Sequence, residues 1–310
     1  MDLSAELIRR SPHLLLRFVL ALAEIKNRKI RKDARHGAKI PPLGSVGLVD
    51  TKNSDTVFLL GSGSSINEIS EEKWSQIAKF DSFGLNFTVC LPFVPTHYFF
   101  EACFEEVTNV LFQFYEKRGE DYSGVLKILS ASFPTSTEME YRFVNFPEPW
   151  SSNIYSAGVY RTVTRTESEL VSEIGRLKKL GVFDIGRSHV NTLFKHMGSV
   201  SSLITLAGAM SYKNIVLCGF DITNPAYFYD DVERYPDMER YATKVRPKLA
   251  QFPSNRSALQ TPGSMVIMEL KKQVLDPAGI HLYVENSLSG LYPEVELAPD
   301  SLYETQTNHL

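Results

Sequence analysis

Residues 56–77 constrain the chain most. Thr56-Val57-Phe58-Leu59-Leu60 is an apolar run of strand length, and it ends at once in Gly61-Ser62-Gly63-Ser64-Ser65-Ile66-Asn67. A pattern of helical period then runs through Trp74 and Ile77. Strand, glycine turn and helix in this order open a nucleotide-binding α/β unit. Glycines let the backbone approach a ligand closely, and the N–H groups of a helix start favour an anion. The loop is not a dinucleotide fingerprint, because Ile66 stands where GxGxxG needs its third glycine. It is not a Walker A loop either, because no Lys follows. A tight βα turn without a ligand is the alternative reading of the loop alone.

More α/β pieces follow. Asp81 to Phe87 reads as a short strand ending near Asn86, and Thr96-His97-Tyr98-Phe99-Phe100-Glu101 as another. Val107, Val110, Leu111 and Phe114 share one helical face. Val125 to Leu129 and Tyr141 to Phe146 are strand candidates, residues 147–166 read as polar and irregular, and 167–180 as a helix. Ser201 to Met210 is a helix of small and apolar residues. It leads through Tyr212-Lys213-Asn214 to the buried strand Ile215-Val216-Leu217-Cys218, with Gly219-Phe220-Asp221 at its end. Met265 to Leu275 is a later helix, and Ile280 to Val284 a last strand before Asn286-Ser287. The expected fold class is therefore α/β and Rossmann-like: a mostly parallel sheet flanked by helices, with a small lid at about 222–264. Polar groups just past strand ends line the ligand crevice of such sheets.

Charge divides the chain. Residues 1–40 hold ten basic and four acidic residues, a local balance of +6 in a chain of net −3, which leaves −9 on the rest. The total argues against a nucleic-acid binder. The apolar stretch between Leu14 and Ile25, broken by Arg17, is too short to cross a bilayer. Two readings stand: a basic amphipathic helix touching an anionic membrane surface through residues 1–35, or a helix docked on the body. The expected division is a basic helical arm at 1–40, a Rossmann-like domain at 50–300 and a tail at 301–310. Three scattered cysteines, Cys90, Cys103 and Cys218, suit a reducing compartment. The expected location is cytoplasmic, either free or peripheral on the inner face of a membrane.

Taken together, these motifs resemble the small single-domain bacterial sialyltransferases that use CMP-sialic acid, and related CMP-Kdo enzymes. The resemblance rests on Gly61, Gly63 and Ser65; on Asn86; on Gly198-Ser199; on Tyr212-Lys213-x-Ile215 leading to Gly219-Phe220-Asp221; and on Asn286-Ser287 with Glu296-Leu297-Ala298-Pro299. It covers about two-thirds of the chain as motifs rather than continuous sequence. It implies a CMP-activated keto-sugar acid as donor (sialic acid, Kdo or a relative), a cell-surface or lipid-linked glycan as acceptor, and no metal or other cofactor. Consistent with that, no DxD motif is present.

On this resemblance Gly61, Ser62, Gly63 and Ser65 approach the nucleotide, and Asn86, His196, Gly198 and Ser199 hold the donor. Thr223 and Tyr229 steady the leaving phosphate, where the family carries two tyrosines. Lys195 falls about where the family has an Arg. The family's general-base His has no counterpart in Gln260-Thr261-Pro262-Gly263-Ser264. Glu101 replaces an uncharged Asn, so Glu101 or Asp221 would supply a carboxylate as base or nucleophile. For Glu101 the simpler role is a hydrogen bond to the donor or a helix cap. For Asp221 it is a cap on the following turn. Tyr227 and Tyr229 belong either to a lid or to a surface loop packed by its own rings. Two further functions stay open: an inactive nucleotide-binding relative, and a Rossmann oxidoreductase.

Overall fold

The computed structural model describes residues 40–101, 105–130, 146–187, 189–196, 198–222, 224–247 and 261–304. The arm at 1–39, the strand candidate at 141–145, Thr223, Gln260 and the tail from 305 lie outside the described residues.

Among the described residues eight strands form one parallel sheet: β1 (Thr56–Leu60), β2 (Asp81–Leu85), β3 (His97–Glu101), β4 (Leu126–Ser130), β5 (Ile154–Thr162), β6 (Thr192–His196), β7 (Asn214–Cys218) and β8 (His281–Val284). Their order is β6-β5-β4-β3-β2-β1-β7-β8. Helices α1 (Glu71–Ile77), α2 (Glu105–Lys117), α3 (Glu167–Lys179), α4 (Val200–Ala209), α5 (Gly263–Leu270) and α6 (Ser301–Glu304) accompany it. The fold class is the Rossmann-like α/β arrangement that the strand–glycine–helix opening predicts. No helix among the described residues is long and apolar enough to cross a membrane.

Strand side chains alternate between two cores, as a period of two requires. Val57, Leu59, Phe83, Phe99 and Ile128 join the residues of α3, α4 and α5 on one face. Phe58, Leu60, Tyr98, Phe100 and Leu129 join Val107, Leu111, Phe114 and Trp150 on the other. Helix α4 explains its own composition. Nine of its ten residues are buried, so it packs on all sides and only small or apolar side chains fit. Its fully buried Leu and Ile side chains are worth roughly 1.5–3 kcal/mol each.

Two strands escape the sequence reading. Residues 154–162, expected to be irregular, form the longest of the described strands, and 192–196 form β6. β5 is Ile-Tyr-Ser-Ala-Gly-Val-Tyr-Arg-Thr. Its buried positions include Ser156, Ala157 and Gly158, so it shows no continuous apolar run. This strand shapes the molecule. Residues 154–157 pair with β4, whereas 158–162 pair with β6. β6 therefore lies alongside the part of β5 that extends past the end of β4, beyond the carboxyl edge of the sheet.

The amino edge is closed by structural bonds. The Asp81 carboxylate accepts from the Asn53 and Ser54 N–H groups at 2.7 and 3.0 Å and from the Tyr212 hydroxyl at 3.0 Å. His97 lies there too. Its ring nitrogens are 3.0 Å from the Thr51 hydroxyl and 2.9 Å from that of Thr96. Its ring stacks on Phe83. Burial lowers its pKa to about 4, against the opposing charge of Asp81.

Candidate active site

Strand order reverses between β1 and β7. In open parallel sheets the crevice outside the carboxyl ends at this switch point is where ligands bind. Here it is bounded by Gly61-Ser62-Gly63 after β1 and Gly219-Phe220-Asp221 after β7. The two turns touch along their backbones. Gly61 N–H donates to Cys218 O at 2.7 Å, and Gly63 N–H to Gly219 O at 2.7 Å. That closeness is why glycines occupy them. A Cβ on Gly61 would overlap Gly219 O, and one on Gly63 would meet the Asp221 carboxylate at 2.6 Å. Gly219 itself has φ +68, which a side chain disfavours.

Asp221 locks the glycine loop. Its carboxylate accepts from the Ser65 N–H at 2.9 Å, from the Ser65 hydroxyl, and from the Ser64 hydroxyl at 3.3 Å. It is 3% exposed. The loop is covered further by residues 224–228. Ser64 N–H donates to Ala226 O at 3.2 Å, and Phe228 N–H to Ser62 O at 3.0 Å. Arg246 pins this strap, pairing with Asp230, bonding Pro225 O at 3.0 Å and lying 4.4 Å from the Tyr227 ring centre. The N–H groups of Gly61, Gly63, Ser64 and Ser65 thus all have partners within the chain. Ile222, directly after Asp221, has φ +50. For a β-branched residue this is strained, and it sits at the rim of the crevice.

The remaining strand ends carry polar groups. Asn86 follows β2 with φ +47, a conformation Asn tolerates. Its side-chain oxygen accepts the Glu101 N–H at 3.1 Å, and its carbonyl accepts the Tyr98 hydroxyl. Glu101 ends β3 and forms an ion pair with Lys195 of β6, their side chains 12% and 7% exposed. The Lys195 ammonium offsets the carboxylate's charge and fixes its direction.

His196 ends β6. Thr164 N–H donates to its Nε2 at 3.3 Å, and the Thr164 hydroxyl lies 2.7 Å from the same nitrogen. An amide can only donate, so Nε2 accepts and the neutral ring carries its proton on Nδ1. That N–H is buried with no partner among the described residues. Burial lowers the ring's pKa to about 4. Gly198 and Ser199 open α4, where the Ser201 hydroxyl binds Gly198 O at 2.9 Å and receives the His196 N–H at 3.0 Å. Tyr229, 2% exposed, packs on Phe87 and Tyr241. Thr223 lies outside the described residues.

The structure thus joins the motif residues in two groups. Gly61, Ser62, Gly63, Ser65 and Asp221 form one, bonded to each other. Asn86, Glu101 and Lys195 form the second, with His196 and Gly198-Ser199 further along β6 and into α4. β1 and β2 lie between Asp221 and Glu101 in the sheet order. The sequence pattern passes over Thr162, which ends the unrecognised β5, and Thr164, two residues beyond it. The alternation Ile154, Ser156, Gly158, Tyr160, Thr162 is the signal that carries them. Asn286 adds a tie to the glycine loop, its amide donating to Ser65 O at 3.3 Å. Among the described residues no three His, Cys, Asp or Glu side chains converge so as to hold a metal ion.

Fold and site together define a parallel Rossmann-like α/β protein with a polar crevice along the carboxyl edge of its sheet. No family model matches the chain, and no curated protein matches it. Among solved structures it is similar to the sialyltransferase CstII from Campylobacter jejuni in complex with a substrate analogue, cytidine-5'-monophosphate. The identity is 17%, with 79% of this chain and 85% of that chain covered and a TM-score of 0.41.

Proposed function

We propose that the protein is a glycosyltransferase that moves a keto-sugar acid from a CMP-activated donor to a glycan acceptor. One observation supports this most. Gly61, Gly63, Ser65, Asn86, Gly198-Ser199 and Gly219-Phe220-Asp221, which carry most of the sequence resemblance, are far apart in the chain yet lie at the carboxyl edge of one sheet, whereas Tyr212-Lys213 lie at its amino edge. In the proposed reaction an acceptor oxygen bonds to the anomeric carbon. The bond from that carbon to the phosphate oxygen breaks, and CMP leaves with the electron pair. The acceptor's proton passes to a base. Glu101 is the proposed carboxylate, as base or as nucleophile, and Lys195 orients it. Asp221 takes a different part here. It holds the glycine loop in shape, and the loop and strap together form the nucleotide end of the crevice. Thr223 and Tyr229 remain the proposed partners of the leaving phosphate.

The excess of positive charge in residues 1–40 supports a peripheral contact with an anionic membrane surface, which suits a lipid-linked acceptor. Deleting residues 1–34 should then abolish binding to anionic liposomes.

A second reading is a nucleotide-binding relative without turnover. It is favoured by the engagement of both carboxylates, Asp221 by the loop and Glu101 by Lys195. The separating experiment is CMP release from CMP-sialic acid and CMP-Kdo. Release with either donor supports the transferase. CMP binding with no release supports the second reading.

A further inference from the structure

A cavity of about 350 Å³ opens at the carboxyl end of β5, against the first three turns of α3. Its lining includes Thr162, Thr164, Ser168, Glu169, Glu173 and Arg176. The volume is within the range of small-molecule sites. All but one of its lining residues carry a hydrogen-bonding side chain, set among the apolar parts of those same residues: hydroxyls, two carboxylates and one guanidinium. Such a set suits a ligand that is itself covered in hydroxyls, because each can donate to a carboxylate and accept from a guanidinium or hydroxyl. Among the described residues the lining holds two acids and one base, a balance that favours a neutral ligand over an anionic one.

The groups are held rather than loose. The Glu169 carboxylate accepts the Arg165 N–H at 2.7 Å, and the Tyr160 hydroxyl donates to Glu173 at 3.4 Å. Arg176 lies 3.7 Å from Glu173. Thr162 adds an independent observation. It is 3% exposed, and its hydroxyl has no hydrogen-bond partner among the described residues. A buried hydroxyl without a partner is costly, so a group that supplies one on binding is favoured. The cavity also adjoins the site already described. Thr162 is the register partner of His196, and Thr164 bonds its ring.

We infer that this cavity is a subsite for a neutral pyranoside, the sugar unit of the acceptor. The inference rests on the transferase reading for the word acceptor, but not for the binding itself. The test is saturation-transfer NMR on the full chain. The probes are methyl β-D-galactopyranoside, methyl β-D-glucopyranoside and methyl N-acetyl-β-D-glucosaminide, with methyl β-D-glucuronide as the charged comparator. At least one neutral glycoside should bind, and at least fivefold more tightly than the glucuronide. Glu173→Gln should weaken it at least fivefold.

Thr162→Val should weaken binding too while leaving the melting temperature unchanged or higher, because it removes a hydroxyl that has no partner. A role in folding alone would leave sugar binding in that variant intact. The inference is overturned if no neutral glycoside binds, if the glucuronide binds as tightly, or if both variants bind like the parent chain. CMP titration of the same samples separates the two proposals. Sugar binding without CMP binding keeps the subsite and removes the donor reading, and the reverse removes only the subsite.

Discussion

Lys195 of β6 and Glu101 of β3 form an ion pair, although β4 and β5 lie between their strands in the sheet order. The pair exists because β5 extends past β4 and carries β6 over the carboxyl edge. Removing Lys195 takes a buried ammonium away from a largely buried carboxylate, and breaking a buried pair in this way costs about 3–5 kcal/mol. Lys195→Met is therefore expected to lose stability on that order in urea unfolding. Adding Glu101→Gln should restore more than half of the loss. Glu101→Gln alone should bind CMP like the parent chain and release it from a donor at least a hundredfold more slowly. Unchanged release would remove Glu101 as base or nucleophile.

Asp221 is expected to matter through the loop it holds. Asp221→Ala leaves the buried Ser65 N–H and hydroxyl without their acceptor, a loss of about 2–3 kcal/mol. CMP affinity should fall at least tenfold with it. Asp221→Asn keeps one acceptor oxygen and should retain more of both. Calorimetry beside urea unfolding reads the two effects separately.

The glycines of the site should differ sharply in their tolerance of a methyl group. In Gly61→Ala the new Cβ meets the backbone oxygen of Gly219, which cannot step aside. The β1 and β7 turns must part, and stability should drop by about 2 kcal/mol or more. In Gly198→Ala the nearest atom is Val200 Cγ1 at 3.9 Å, an ordinary contact. That variant should melt within a degree or two of the parent chain. Any loss of donor binding would then report the ligand rather than the fold.

Acid should destabilise the protein through two histidines. His97 and His196 are held near pKa 4, against about 6.5 in an unfolded chain. Above pH 6.5 both are neutral in both states and the stability is fully present. Between pH 6.5 and 4 the unfolded chain takes up protons that the folded chain does not, so stability falls as pH falls. The urea midpoint should drop between pH 7.5 and 5.0. The His97→Gln/His196→Gln variant should flatten that slope, even if it starts lower.

The strap over the glycine loop should open independently of the core. Arg246 and Asp230 are only partly buried, so their pair is worth at most about 1 kcal/mol to the whole protein. Locally it holds residues 224–230. Arg246→Met is expected to speed amide exchange across this segment in hydrogen-exchange mass spectrometry, with the β1 and β7 amides unaffected.

The legible parts of the fold were those with a strong local signal. β1, β7 and α4 announce themselves because strands and helices buried on all sides must be continuously apolar or small. β5 and β6 were not legible. Ser156, Gly158 and Thr162 pack well in a buried strand but read as a loop, so the curl of the sheet was hidden, and with it the approach of Lys195 to Glu101. Within the site, Asp221 was found at its strand end. That its carboxylate faces back onto Ser65 depends on the β1–β7 pairing, which no local pattern reveals. Thr162 and Thr164 were missed together with β5, which ends at Thr162.

If the crevice between β1 and β7 receives a CMP-activated sugar, the chain must bind CMP itself. Isothermal calorimetry of the full chain with CMP, with Gly61→Ala as the comparison, measures this. Saturable binding is expected with one site per chain, lost or weakened at least tenfold in Gly61→Ala. No heat of binding at millimolar CMP, or equal binding by both proteins, would remove the CMP site from this crevice.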